Sequence, residues 1–168
     1  KQTLQAKTLI IATGASAIQI GLKNEARLTG HGVSTCATCD GFFFKGKELI
    51  VGGGGDSAME EATFLTKFAS KVHLIHRRGE LRADKTNQAR LLENPKVQMH
   101  WHAEVTDVQG QDAPLKVQVI TLADTRDGST RQLPVDGLFI AIGHVPATSL
   151  FAAQLKMDEE GYILTVPD

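Results

Sequence analysis

The residues best suited to chemistry in this sequence are its only two cysteines, Cys36 and Cys39, in the stretch STCATCDGFFF. Zinc is one interpretation, but a structural zinc site takes four ligands, and no histidine lies at a recognisable ligand spacing. A structural crosslink is a second, but so short a loop restrains little unfolded-chain entropy. A reversible dithiol is the third, because CxxC spacing lowers one thiol pKa and suits disulfide exchange. The sequence favours the dithiol and predicts no metal.

Asp40 directly follows this pair of cysteines. A carboxylate in that position can carry the proton that a leaving thiolate must gain. An aspartate before a glycine is also typical of an ordinary turn. Considered by itself, Asp40 is better explained as a turn residue, and a catalytic role needs further support.

A glycine-rich stretch, IVGGGGDSA, contains the pattern Gly53-x-Gly55-x-x-Ala58 of a dinucleotide-binding loop. Such a loop needs a tight turn, no side chain where the backbone meets the pyrophosphate, and a small residue where the helix packs on the strand. A helix beginning at the glycines offers free N–H groups to phosphates. The register Gly52-x-Gly54-x-x-Ser57 also fits in part, and a glycine-rich turn without a nucleotide is the plain alternative. The position between a strand and a helix favours the nucleotide.

Basic residues follow the next predicted strand. NAD-binding units place an acid near this point to hold the ribose 2′-OH, whereas NADP-binding units have basic residues nearby. The stretch HRRGELR offers guanidinium groups suited to a 2′-phosphate, which favours NADPH over NADH. Glu80 keeps NADH open, and a solvated basic turn is the other alternative. The basic candidates are His76, Arg77, Arg78 and Arg82.

Alternating strands and helices predict an α/β fold with a parallel sheet covered on both faces. Strands are predicted at 6–14, 47–51, 71–78, 96–102 and 137–143, and a last one at 161–166. Helices are predicted from the glycines at 52–70 and at 81–94, and a hairpin is expected to turn at Asp127 and Gly128. The unit at 47–76 has the roughly 30-residue size of a βαβ motif. Residues 15–41 are predicted to be loop with short irregular pieces.

Composition narrows the functional class. The 168 residues carry a formal net charge of −1, which argues against nucleic acid as the main partner. No apolar run approaches the roughly 20 residues of a membrane span. The start of the sequence has no initiator Met and no visible targeting signal, so we expect an internal piece of a longer protein. Two closely spaced cysteines favour a cytoplasmic setting.

The stretches CATCDGFFF, GGGGDSAMEEA, HLIHRR and GLFIAIGH occur in this order over nearly the whole chain. Together they closely resemble the low-molecular-weight thioredoxin reductases of bacteria and plants. The resemblance implies a cytoplasmic homodimeric flavoprotein that passes electrons from NADPH through FAD to a Cys36–Cys39 disulfide and on to thioredoxin, with Asp40 as general acid and base. It also implies a Rossmann-like three-layer NADPH domain. Two positions depart from the family pattern: Gly52 replaces an aliphatic residue, and Gly79 replaces an acid.

The resemblance further implies how the chain is divided. Residues 1–19 and 144–168 are expected to be partial segments of an FAD domain, with Thr13 and Gly14 near the flavin, and residues 20–143 the NADPH domain. Two alternatives to thioredoxin reduction remain: a nucleotide-binding module without turnover, and a flavoprotein subunit of a hydroperoxide reductase. The residues expected to contact NADPH are Gly53, Gly55, Asp56, Ser57, Ala58, His76, Arg77, Arg78 and Arg82.

Overall fold

The computed structural model describes residues 3–165 and divides them into two compact units. The larger unit is Ile18–Gly143, and the smaller combines the residues before it with those after it. Their assignment to NADPH and FAD domains stays a prediction.

The helices of the described chain are α1 Glu25–Leu28, α2 Ala37–Asp40, α3 Asp56–Leu65 and α4 Lys85–Leu92, with short 3-10 helices at Gly41–Phe44 and Ser149–Phe151. The strands are β1 Ala15–Ala17, β2 Val33–Ser34, β3 Glu48–Gly53, β4 Lys71–His76, β5 Val97–Trp101, β6 Ala103–Asp112, β7 Leu115–Asp124, β8 Thr130–Pro134, β9 Gly137–Ala141 and β10 His144–Pro146.

A five-stranded parallel sheet in the order β2-β9-β3-β4-β5 forms the centre of the larger unit. Its inner strands are continuous apolar runs such as Leu49–Val51, as expected where both faces of a parallel sheet are covered. Helices α3 and α4 cover one face, and α3 buries Ala58, Met59, Ala62 and Leu65 at helical spacing. The predicted α/β fold is confirmed.

The other face of the parallel sheet is covered by a second, antiparallel sheet in the order β6-β7-β8. Ile50, Ile75 and Ile140 of the parallel sheet belong to the same buried cluster as Val108 and Ile120 of the antiparallel one. Strand β6 was not predicted from the sequence. Its alternation of buried and exposed residues is interrupted by an irregularity between Val105 and Asp107, and its composition is polar.

Two predicted strands are wrong. Residues 6–14 form no strand, and Leu9 and Ile10 are 78% and 89% exposed, because no strand among the described residues pairs with this segment. In the tail, Ile163 makes only an isolated bridge with Met157, and residue 166 of the predicted strand lies outside the described residues. The sheet of the smaller unit is the antiparallel pair β1–β10.

Across the described residues, none of the helices combines the length and apolar character required to span a membrane.

A chain of polar side chains links the two sheets of the larger unit. Arg131 of β8 lies 3.0 Å from His100 Nδ1, His100 Nε2 lies 3.0 Å from His73 Nδ1, and His73 Nε2 lies 3.2 Å from a Glu48 carboxylate oxygen. An arginine can only donate, so His100 Nδ1 accepts from Arg131. His100 Nε2–H then donates to His73 Nδ1, and His73 Nε2–H donates to Glu48. Both histidines are therefore neutral. Burial lowers both pKa values, that of His100 to about 4.

We predict that stability falls in mild acid because of these two rings. Their folded-state pKa values lie below the ordinary histidine value of about 6.5, so their contribution is complete above that pH and is lost as pH falls below it. The free energy of unfolding should fall by at most about 1.4 kcal/mol per pH unit for each ring. Urea unfolding at a series of pH values measures this slope. His100→Gln should make it shallower, whereas His31→Gln, at an exposed histidine, should not. Equal slopes in both variants would contradict the assignment.

Candidate functional site

A cavity of about 400 Å³ lies at the carboxyl edge of the parallel sheet. It is bounded by the ends of β3, β4 and β9 and by the start of β6. The chain leaves β3 towards β4 on one side, while β9 pairs with β3 on the other. Ligands of open α/β sheets bind at such a change of direction. The lining residues are Ile20, Gly52, Gly53, Gly54, Gly55, Ser57, Ile75, His76, Arg77, Arg82, Ala103, Glu104, Val105, Ala141, Ile142 and Gly143.

Gly53 allows close packing of strand and helix, and Gly55 leaves room for a ligand to approach the backbone. A Cβ on Gly53 would lie 2.7 Å from Ala58 Cβ and would overlap the Ala141 carbonyl oxygen, so strand and helix meet closely there. A Cβ on Gly55 would meet nothing within 4 Å. Gly55 precedes the ten-residue helix α3, whose first N–H groups have no partner inside the helix. The loop thus presents open backbone and a helix N-terminus to the cavity.

His76 supplies a buried polar atom at the cavity. Its Nδ1 lies 3.1 Å from the Gly53 carbonyl and donates to it, while its buried Nε2 has no hydrogen-bond partner among the described residues. Burial lowers the pKa of His76 and outweighs the backbone of Glu80 and of Gly53, which favour the charged ring. The neutral ring therefore offers an acceptor to a ligand hydroxyl or N–H. This unpaired nitrogen and the open backbone at Gly55 both fit a dinucleotide.

The predicted nucleotide residues do not all reach the cavity. Gly53, Gly55, Ser57, His76, Arg77 and Arg82 line it, whereas Asp56, Ala58 and Arg78 do not. Ala58 is buried beneath Gly53. Asp56 Oδ1 accepts the N–H of Asp84 (2.9 Å) and the Asn87 amide (3.1 Å), and these bonds lower the pKa of its carboxyl. Asp56 thereby joins the start of α3 to the start of α4.

Sequence reasoning missed three walls of the cavity: the end of β9, the loop that carries Ile20, and the start of β6. Ala141 ends β9, and Ile142 and Gly143 follow it. These residues belong to the site only because β9 pairs with β3. Ile20 comes from a loop fixed by the buried Glu25, whose carboxylate accepts the N–H groups of Ile20, Gly21 and Leu22 at 2.7–3.2 Å. The end of an apolar strand was visible in the sequence, but its neighbour in the sheet was not.

The structure joins Cys36 and Cys39 in a disulfide with a Cα–Cα distance of 5.3 Å. Cys36 precedes helix α2, is partly buried, and its Sγ accepts the N–H of Cys39 at 3.2 Å, whereas Cys39 is exposed. Ser34 Oγ accepts the Cys36 N–H at 3.1 Å and holds the start of the motif. Asp40 ends α2 and is partly buried. Residues 3–165 contain no group of three or more His, Cys, Asp or Glu arranged for a metal ion.

Three phenylalanines follow the disulfide and face different surroundings. Phe44 packs edge-on against the buried Phe139 with ring centroids 5.4 Å apart. Phe42 and Phe43 are 67% and 78% exposed, although Phe42 also touches Phe68 at 6.0 Å between centroids. The disulfide is therefore bordered by an exposed aromatic surface, formed by Phe42 and Phe43.

The two residues predicted to lie near a flavin, Thr13 and Gly14, belong to the smaller unit and are both exposed. Neither lines the cavity described above. The exposure of both residues does not fit a bound group of the size of FAD, which is held by enclosure.

Comparison with known proteins connects these features. The family described as pyridine nucleotide-disulphide oxidoreductase matches residues 1–167. The chain belongs to this family. Pyridine nucleotide-disulphide oxidoreductases of the kind it resembles use FAD and NADPH, which agrees with a dinucleotide cavity and a CxxC disulfide in one chain.

Relatives within the family confirm the resemblance to thioredoxin reductases. The chain is 50% identical to a thioredoxin reductase of Streptomyces clavuligerus over 159 residues, which are 95% of this chain and 48% of that protein. It is 49% identical to one from Mycolicibacterium smegmatis, covering 96% and 51% of the two. A solved thioredoxin reductase from Streptococcus pyogenes superposes with a TM-score of 0.84 at 43% identity, covering 95% and 52%. The chain spans about half the length of the curated relatives it matches.

We predict that Gly53→Ala and Gly55→Ala separate packing from ligand access. The Gly53 variant forces a methyl against Ala58 and the Ala141 carbonyl, and should lower the free energy of unfolding by about 1–3 kcal/mol. The Gly55 variant places its methyl in open space and should stay within about 0.5 kcal/mol of the parent. Its NADPH affinity should nevertheless fall at least about tenfold, because the methyl occupies the place where backbone approaches pyrophosphate. Chemical unfolding and calorimetric titration measure the two effects. A Gly55→Ala variant with unchanged NADPH affinity would contradict this role.

Proposed function

We propose that this chain forms the NADPH-binding and redox-disulfide part of a thioredoxin-disulfide reductase. The observation that carries the proposal is the presence, in one compact unit, of a cavity bordered by arginines and an exposed CxxC disulfide. Both lie towards the carboxyl edge of the parallel sheet: Ser34, just before the disulfide, pairs with Phe139, two residues before Ala141 of the cavity wall. Relatives named thioredoxin reductase, at 49% and 50% identity, support the same activity.

NADPH is the nucleotide we propose for the cavity. Arg77 and Arg82 line it and Arg78 lies exposed beside them in sequence, which gives the cationic surroundings that a 2′-phosphate requires. Ser57 and the first N–H groups of α3 are suited to the pyrophosphate, and His76 Nε2 can accept from a ribose hydroxyl. When bound, NADPH would supply two electrons as a hydride, and in the parent enzyme a flavin would relay them. Cys36 and Cys39 are the residues of this chain that would take them up.

The dithiol carries out the exchange with thioredoxin in our proposal. Exposed Cys39 is the thiol that a protein disulfide can reach. Its thiolate attacks one sulfur of the thioredoxin disulfide, which breaks that bond, forms a mixed disulfide and leaves the other thioredoxin sulfur as a thiolate. Cys36 then attacks Cys39, which reforms the intramolecular disulfide and releases reduced thioredoxin. The Cys39 N–H stabilises a thiolate on Cys36, and Asp40 holds or supplies the proton that the departing thioredoxin sulfur takes up.

The setting of the parent enzyme is part of the same proposal. The homodimer is proposed from the family resemblance, and the cytoplasmic setting from the two closely spaced cysteines. The relatives are thioredoxin reductases, which does not favour a hydroperoxide reductase subunit. For these 168 residues alone we expect NADPH binding without flavin colour or turnover, because the predicted flavin residues Thr13 and Gly14 are exposed.

We predict that the two cysteines differ in their reaction with thioredoxin. The probe is a thioredoxin lacking its second cysteine and carrying thionitrobenzoate on the first, so that attack by a thiol forms the mixed disulfide and releases the coloured thionitrobenzoate anion. The reduced Cys36→Ser variant, which keeps exposed Cys39, should react at least about tenfold faster than Cys39→Ser, because rate follows thiol access. The double Ser variant is the control and should not react. A faster Cys39→Ser variant would reverse the assigned roles, and no reaction in either would refute exchange with thioredoxin.

We also predict that thioredoxin binds the exposed aromatic surface. Phe43→Ala should lower the rate of mixed-disulfide formation in the same assay by about tenfold. Exposed aromatic residues beside a reactive group are typical anchors of a protein interface. Reaction with a small disulfide should stay unchanged, which separates docking from thiol reactivity. Leu92→Ala, at an apolar residue 44% exposed on α4, serves as the matched control. Equal losses for Phe43→Ala with thioredoxin and with the small disulfide would contradict docking.

A further inference from the structure

The arginines of the cavity stand on a six-residue segment, residues 77–82, called here the arginine loop. It leaves the end of β4 and returns to the body of the fold at Leu81 and Ala83, which are buried. Arg77, Arg78 and Arg82 are all exposed. Binding a phosphate costs conformational entropy, because the long exposed side chains and any mobile backbone beneath them become ordered. A backbone that is already held in place lowers this cost and so raises the affinity for the phosphate.

The far end of the arginine loop is fixed by the glycine loop. The Gly54 carbonyl accepts the N–H of Arg82 at 2.8 Å and that of Ala83 at 3.2 Å. Gly54 has no room for a side chain, because a Cβ there would overlap His76 Nδ1. Arg82 is therefore positioned by the same turn that is suited to pyrophosphate.

The near end is fixed from a different layer, the antiparallel sheet. Thr125, directly after β7, donates its hydroxyl to the Arg77 carbonyl at 3.0 Å. Its own N–H donates to the His102 carbonyl at 2.8 Å, and the His102 N–H donates to the Arg78 carbonyl at 3.3 Å. These three hydrogen bonds connect Thr125, His102 and both arginine carbonyls.

The conformation of His102 indicates that this arrangement is constrained. Its φ of 52° is in the left-handed region, and it is the one non-glycine residue of the described chain with a positive φ. That conformation turns the chain between β5 and β6 while placing both backbone groups of His102 in the hydrogen bonds just described. A Cβ on Gly79 would lie 2.9 Å from His102 Nε2, so the ring also limits the arginine loop from the side. The glycine that departs from the family pattern is thus the residue that the His102 ring faces.

We propose that Thr125 and His102 are positioning residues for recognition of the 2′-phosphate. They touch no nucleotide in this proposal, which rests on the NADPH binding proposed above. They hold the backbone of Arg77 and Arg78, so that Arg77 lines the cavity and Arg78 lies next to it in sequence before the phosphate arrives. The turn that carries Thr125 is itself held by Arg126, which donates to both carboxylate oxygens of Asp124 at 2.7 and 3.0 Å.

The test compares nucleotides with and without the 2′-phosphate on the 168-residue chain. Calorimetric titration with NADPH, NADH, 2′,5′-ADP and 5′-AMP gives the affinities. Thr125→Val removes the hydroxyl donor and keeps the side-chain shape. It should weaken NADPH and 2′,5′-ADP by about three- to tenfold and leave NADH and 5′-AMP within about twofold, the scale of one hydrogen bond. Thr125→Ser keeps a hydroxyl and should stay within about twofold of the parent for all four.

Thr106→Val is the matched control. Thr106 is another exposed threonine of the antiparallel sheet, and its hydroxyl donates to a backbone carbonyl, that of Thr121, at 3.3 Å. Its loss should leave all four affinities unchanged. An unchanged ratio of NADPH to NADH affinity in Thr125→Val, or equal losses for both, would overturn the positioning role. A parent chain that shows no preference for NADPH would instead overturn the proposed nucleotide, and with it the basis of this inference.

Discussion

At Gly53, strand β3, helix α3 and strand β9 come so close together that no side chain fits between them. This contact sets the position of α3 on the sheet, and with it the place where the helix N-terminus opens. It also brings the end of β9 beside the glycine loop, so that Ala141 and Gly143 become a wall of the cavity. The neighbouring Gly54 can then receive the backbone of Arg82. A single packing constraint thus determines both the opening for a phosphate and one end of the arginine loop.

The antiparallel sheet has two functions in this arrangement. Its inner side buries Val108 and Ile120 in the cluster that contains Ile50 and Ile75, so it completes the core that a parallel sheet requires on its second face. Thr125, directly after its central strand β7, is hydrogen-bonded to the arginine loop directly and through His102. The neutral pair His73 and His100 joins the same two sheets through directional hydrogen bonds. Stability of the layer and position of the arginine loop are therefore coupled, because both depend on the antiparallel sheet staying packed on the parallel one.

Local signals predicted the part of the fold that depends on neighbours in sequence. The unit from β3 through α3 to β4 was identified by apolar runs, glycine spacing and helical periodicity, each of which lies within about 30 residues. What depends on pairing across the chain was not predicted: the polar strand β6, and the approach of β9 to β3 that adds Ile142 to the cavity. Residues 6–14 show the converse error, because an apolar run indicates burial only where a partner surface exists. Asp56 fits a nucleotide motif in sequence, yet its carboxylate is engaged by Asp84 and Asn87.

The segment after the disulfide shows how one short element both anchors and presents side chains. Gly41 approaches α3 closely, because a Cβ there would lie 2.9 Å from Leu65 Cδ2 of α3. That close approach lets the 3-10 helix Gly41–Phe44 lie on α3 and bury Phe44 against Phe139. The same turn directs Phe42 and Phe43 outward, at a loss of roughly 1.5–3 kcal/mol of burial energy for each ring left in water. Rings exposed to this extent add little buried surface to the described fold. Their exposure is accounted for if a partner surface covers them when the disulfide reacts, because association then recovers the burial that folding omitted.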